Sequence, residues 1–131
     1  LRLLLDTHIA IWACFADTRL PKAGHMLLSE AETVFVSAAS IWEIAIKHAL
    51  RGNRPIGAFP ITGHEAIGEF ERAGFSMLAV TPGHAAMVGS LPRHHGDPFD
   101  RLLVAQARAE PLRLVTADRA LEAYGEIITI V

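Results

Sequence analysis

The sequence predicts an α/β fold, a single domain over residues 1–131 with a central parallel sheet of four to five strands and helices on both faces. Three observations predict it. Short apolar or β-branched runs alternate with helix-length apolar-patterned stretches, as in a parallel sheet joined by helical crossovers. Cap and turn residues punctuate most of the junctions. No internal repeat, low-complexity tract or linker divides the chain, and 131 residues suffice for one core without disulfides.

The first strand, Leu3-Leu4-Leu5, is unbroken in its apolar character, as a buried central strand is, and it runs directly into Asp6. A helix follows over 8–16, and a second over 21–32 has Pro21 near its first turn. Residues 33–37, β-branched and aromatic, give strand two. The next helix spans 38–50 and stops at Arg51-Gly52-Asn53, before a loop reaching Pro60. Thr62 caps a helix running to about Ala73, closed by Gly74. Strand three spans 75–80, and Thr81-Pro82 opens a helix that ends near Leu91-Pro92. The loop Arg93-His94-His95-Gly96 leads to Asp97-Pro98, where a helix starts and runs to about Glu110. Strand four over 112–116, a short helix over 119–124 and a last strand over 126–131 complete the chain. Right-handed crossovers bring the ends of the parallel strands to one edge.

A hydrophobic fraction of 51% and a mean hydropathy of +0.31 exceed what so short a chain readily buries within itself, which points to a homo-oligomer or a protein partner. The net charge of −2 does not announce a protein that coats nucleic acid, which is usually basic. It leaves room for a site where metal ions supply positive charge. Cys14, the single cysteine, lies among Ile11, Trp12 and Phe15 and reads as a buried structural thiol in a reducing cytosol. No secretory signal pattern and no apolar run of about 18 residues is present, so the expectation is a soluble cytoplasmic protein without a membrane span.

Chemistry is carried by acids. Asp6 ends strand one and Asp118 follows strand four, and each serves equally well as a helix cap. Asp97-Pro98-Phe99-Asp100 is a helix-start signature of cap, proline and dipole-favoured acid. Leu103 and Val104, however, share the side of Asp100, so that carboxylate faces inward, where it is costly without a positive charge. Glu43 sits in Ile41-Trp42-Glu43-Ile44-Ala45-Ile46, a helix apolar nearly all round. Its plain reading is an ion pair with Lys47, one turn on. Its place in the second turn after strand two also sets it over the same sheet edge as Asp6. Close carboxylates repel unless cations intervene, and ligation by oxygen alone selects Mg²⁺ or Mn²⁺ over zinc. One or two such ions activate water and stabilise charge on a phosphoryl group.

Four segments, residues 4–8, 36–47, 97–107 and 114–118, resemble those of PIN-domain ribonucleases in order and spacing. More narrowly, they are similar to the VapC-type toxins of prokaryotic toxin–antitoxin pairs, over nearly the whole chain. The resemblance implies a PIN-like domain, a Mg²⁺- or Mn²⁺-dependent endoribonuclease acting on RNA, a homodimer, and a small VapB-like antitoxin that blocks the site. It maps the family's catalytic, metal-holding acids onto Asp6, Glu43, Asp100 and Asp118, and matches Thr116 to a hydroxyl beside the metal. Asp97 is read as a cap first and as support behind the ligands next; His8 is a candidate to orient Asp6. Lys47, Arg51, Arg54, Arg93 and Arg101 are candidates for RNA contact. His94 and His95 belong to no Cys/His array and read as a solvated loop or a phosphate contact. No phosphate-cradling glycine loop or serine elbow occurs. Ile9, Trp12, Phe15, Leu27 and Leu28 offer either core packing or a face for a second copy or an antitoxin. Two rival readings stand beside this one: a structure-specific DNA nuclease on the same fold, and an RNA-binding or interaction module with a vestigial site.

Overall fold

The computed structural model describes residues 1–50 and 59–131, so Arg51 and Arg54 lie outside the described residues. Strands β1 (Arg2–Leu5), β2 (Thr33–Ser37), β3 (Ser76–Leu78), β4 (Arg113–Thr116) and β5 (Ile128–Ile130) form one sheet in the order β3-β2-β1-β4-β5. Every pairing is parallel. The helices are α1 (Thr7–Cys14), α2 (Lys22–Glu30), α3 (Ala38–Ala49), α4 (Gly63–Arg72), α5 (Pro82–Met87) and α6 (Pro98–Ala109). Two 3₁₀ segments, Val88–Ser90 and Arg119–Tyr124, complete the described elements.

β1 is the middle of the sheet, which explains its uninterrupted leucines. Side chains alternate along a strand, so Leu3 and Leu5 enter one core with Ile9, Val36, Ile44 and Phe70. Leu4 enters the other, against Leu103, Val104, Leu114 and Leu121. All three leucines are wholly buried. The layers are helix, sheet, helix, as the alternating pattern predicts.

Helix starts follow the expected caps. Thr62 and Glu65 exchange side chain-to-backbone bonds in a capping box, and Thr81 and His84 form a second. Asp97 accepts from the Phe99 and Asp100 N–H groups, with Pro98 at the first helical position. Pro21 differs from expectation: it stands just outside α2 with ψ of 160°. Strands three and five are shorter than read from sequence, because β3 and β5 are edges and each pairs with one neighbour only. The helix expected to end near Leu91 tightens into 3₁₀ geometry after Met87, and Leu91 before Pro92 is extended.

Cys14 is half-buried with its Sγ 3.7 Å from the Glu69 carbonyl oxygen. Burial, then Glu69, pushes its thiol up to about 11, which keeps it unreactive. Of the apolar side chains weighed for an outside face, Ile9 belongs to the core, and Trp12, Leu27 and Leu28 pack against it. Phe15 remains exposed, as do Met26, Trp42 and Leu50. No helix among the described residues is long and apolar enough to cross a membrane.

Leu4→Ala removes a side chain at the sheet centre and is expected to cost about 2–5 kcal/mol. Met26→Ala, on the surface of α2, is expected to stay within about 0.5 kcal/mol. Urea midpoints at constant m-value measure both.

Candidate active site

The carboxyl ends of β1, β2 and β4 lie side by side, and the residues just beyond them build the site. Leu5 pairs with Val36 on one side and with Val115 on the other. The Asp6 N–H continues the ladder to the Val115 carbonyl oxygen at 3.0 Å. Asp6 therefore stands beside Thr116, the last residue of β4. The Thr116 hydroxyl donates to Asp6 Oδ2 at 2.5 Å and accepts the Asp118 N–H at 3.0 Å, tying two of the acids together. Asp6 Oδ1 accepts the Ile9 N–H at 2.9 Å, so the capping role is real as well.

Glu43 is 4% exposed, and its two oxygens have separate partners. Oε1 lies 2.6 Å from the Thr7 hydroxyl, and Oε2 lies 2.5 Å from Lys47 Nζ. A carboxylate accepts only, so Thr7 gives Glu43 its one proton, and Ser40 Oγ, 2.9 Å from Thr7 Oγ1, completes the chain. The ion pair expected from the spacing is present, yet it sits in the site and not on a wet stripe.

A cavity of about 360 Å³ gathers Asp6, Glu43, Asp100 and Asp118 into one lining, with His95 and Lys47 among its other walls. Asp97, His8 and Thr7 line it too. All four acids singled out from the sequence thus converge. Arg93 and Arg101 are not part of this lining. Arg101 is turned into the scaffold, donating to the Pro92 and Val88 carbonyl oxygens and the Tyr124 hydroxyl. His8 is exposed and meets Trp12 and Phe59 through ring contacts.

His95 is the residue sequence reasoning undervalued. Its Nδ1 accepts the Asp97 N–H at 3.0 Å, which assigns the ring proton of the neutral form to Nε2. That nitrogen lies 2.9 Å from Asp118 Oδ2 and 3.5 Å from Asp100 Oδ2. Thr7 and Ser40 also passed unnoticed. Their positions in the first turns of α1 and α3 are the only local signal, and capping residues give the same one.

The electrostatics follow from burial and crowding. Burial raises Asp6 above the ordinary carboxylate range against the opposing bonds from Thr116 and Ile9. Burial, then Asp97 and Asp6, pushes Asp100 up to about 7. Asp118 goes the other way: the His95 bond holds it below its usual value. The donor set suits a hard divalent cation. It consists of carboxylate oxygens beside a threonine hydroxyl, and Asp100 lacks a close hydrogen-bond donor among the described residues. One ligand atom each from His95, Asp100 and Asp118 lie within 4.8 Å of one another. The proton on His95 Nε2 favours oxygen ligation there over nitrogen.

A parallel sheet that collects carboxylates beyond its strand ends defines the class: an α/β protein with an acidic centre at one sheet edge. A model of the PIN domain matches residues 3–127. Ribonuclease VapC22 of Mycobacterium tuberculosis is 33% identical over 123 residues, covering 92% of this chain and 90% of that protein. Among solved structures, VapBC2 from Rickettsia felis, bound to a promoter DNA fragment, matches with a TM-score of 0.67 at 15% identity, over 99% of this chain and 98% of the other. VapC20 of Mycobacterium tuberculosis, a sarcin–ricin loop cleaving toxin, matches at 0.57 and 18% identity, over 94% and 95%. The chain belongs to the PIN domain family and is of the VapC type.

Without metal, the folded protein holds the Asp100 proton more tightly than the unfolded chain, whose carboxyl titrates near 3.8. The stability this confers is complete below about pH 4 and is lost as pH rises through about 7. Relative to Asp100→Asn, the urea midpoint of the chelated protein is expected to fall between about pH 4 and about pH 7 and to level off above that. Adding Mg²⁺ at about pH 8 is expected to restore the midpoint of the unaltered protein and to raise that of Asp100→Asn less.

Proposed function

We propose that this protein is a divalent-metal-dependent endoribonuclease, the toxin of a toxin–antitoxin pair, acting in the cytoplasm. The observation that carries the reading is the convergence of Asp6, Glu43, Asp100 and Asp118 in one cavity. The ribonuclease name of a relative at 33% identity supports RNA as the substrate class. The VapBC complex among the structural neighbours supports a VapB-like antitoxin partner, and inhibition by occupying the site is part of the proposal. A homodimer fits the exposed Phe15, Met26, Trp42 and Leu50.

Asp6, Glu43, Asp100 and Asp118 would hold Mg²⁺ or Mn²⁺. When bound, such an ion supplies activation of water and neutralisation of charge on the phosphoryl group. The chain's own residues set the stage for this. Thr116 and the Ile9 N–H fix the Asp6 carboxylate, and Thr7 and Lys47 fix Glu43. His95 holds Asp118 through a bond whose direction the Asp97 N–H dictates. Lys47, on the cavity wall, places a cation where a phosphate would approach.

A panel of mRNA, tRNA, rRNA and single-stranded DNA, incubated with Mg²⁺, Mn²⁺ or chelator, tests the proposal. RNA is expected to be cut only with metal, and Asp6→Asn is expected to abolish cutting. Thr116→Val, which unties Asp6 from Asp118, is expected to lower activity by about 10- to 100-fold. Cutting of DNA in preference to RNA would support the DNA-nuclease rival. RNA binding without metal-dependent turnover would leave an interaction module.

A further inference from the structure

Beside the acidic cavity lies a larger one of about 510 Å³, and its ionisable lining is of the opposite kind. Arg93, His94, His95 and Arg101 line it, and among the described residues no carboxylate does. Residues 51–58 contain no Asp or Glu. His95 lines both cavities, so the two adjoin at this residue.

The charge on Arg101 is fixed and uncompensated. Its Nη1 donates to the Pro92 carbonyl oxygen at 3.0 Å and the Tyr124 hydroxyl at 3.2 Å, and its Nη2 donates to the Val88 carbonyl oxygen at 3.0 Å. All three acceptors are neutral, and Arg101 makes no ion pair among the described residues. The Tyr124 hydroxyl itself donates to the Pro92 carbonyl oxygen at 3.0 Å, which stiffens the cradle. A half-buried guanidinium held without a counter-ion leaves a standing positive potential in the cleft. Arg93 adds a second cation, exposed and also without an ion pair among the described residues.

We infer that this cleft is a phosphate-binding subsite, seating a backbone phosphodiester of RNA next to the bond positioned at the acidic cavity. The inference rests on the ribonuclease reading and extends it. Metal-holding carboxylates repel nucleic acid until they are occupied, so a net-acidic protein needs a fixed positive surface alongside. The cleft supplies one, and it shares His95 with the acidic cavity. Guanidinium groups match phosphate oxygens through paired N–H donors, and such contacts position a strand without reading its sequence.

The test measures binding of a short fluorescein-labelled single-stranded RNA over a salt series, with Mg²⁺ and with Asp6→Asn in every protein to suppress cleavage. One lost phosphate contact reduces the slope of log K against log salt by about 0.7 for a single strand. Arg93→Ala is expected to show that reduction, with weaker binding across unrelated sequences, and Arg93→Lys is expected to recover the slope. Arg72→Ala, at a cation lining neither cavity, is expected to leave it unchanged. An unaltered slope in Arg93→Ala, or no RNA binding at all, overturns the inference. So does an aspartate-rich peptide that binds through Arg93 where RNA does not, since that assigns the cleft to a protein partner. Cleavage by the proteins with Asp6 intact, run in parallel, keeps the two readings apart. Metal-dependent cutting with an unmoved slope rejects the cleft alone; a moved slope without cutting rejects the ribonuclease alone.

Discussion

The bond from the Thr116 hydroxyl to Asp6 joins the sheet to the site, and much of the remaining geometry depends on it. Both residues lie where parallel neighbours β1 and β4 run out, and the pairing of Leu5 with Val115 fixes their separation. The same hydroxyl takes the Asp118 N–H, so one oxygen sets the position of two acids contributed by different strand ends. A register slip of one residue between β1 and β4 would turn Asp6 to the other face of the sheet and move Leu4 out of its core. The buried leucines that stabilise the sheet therefore also aim the carboxylate.

Burying acids opposes folding, and each acid meets that cost differently. Glu43 has a hydroxyl and an ammonium and Asp6 a hydroxyl and a backbone N–H, while Asp118, which is exposed, has an imidazole and the Ala120 N–H. Among the described residues, Asp100 has only the His95 ring at 3.5 Å, while Asp97 and Asp6 press on it from nearby. Burial, with those two carboxylates adding to it, pushes Asp100 up to about 7. A scaffold that left this carboxylate unserved gave up stability where a cation would return it, the trade common at functional sites.

The architecture was legible because strand and helix periods differ and because caps announce helix starts; β2 was read with its observed bounds, and Thr62, Thr81 and Asp97 cap as expected. The acids were legible for a different reason: each stands at a strand end or in an early helical turn, and parallel topology sends those points to one edge. What stayed hidden depends on distance in the folded chain. His95 meets Asp118 across 23 residues of sequence, and Thr7 meets Glu43 across 36, and local spacing shows neither contact. Arg101, offered as an RNA contact from its place on a segment starting at the active edge, is turned by helical rotation about 100° from Asp100, toward Tyr124 and the neighbouring carbonyls, and lines the adjacent cleft instead of the acidic cavity.

The net charge of −2 conceals a separation of charge at this edge of the sheet. Carboxylates collect in one cavity and nitrogen bases in the next, with His95 between them donating toward the acids. Under the function proposed, this arrangement makes metal and nucleic acid bind cooperatively. A vacant acidic cavity repels a phosphodiester seated in the basic cleft, and a cation among the acids reverses that repulsion at short range. By linkage, a strand lying in the cleft must then raise the affinity of the acids for the cation by the same factor.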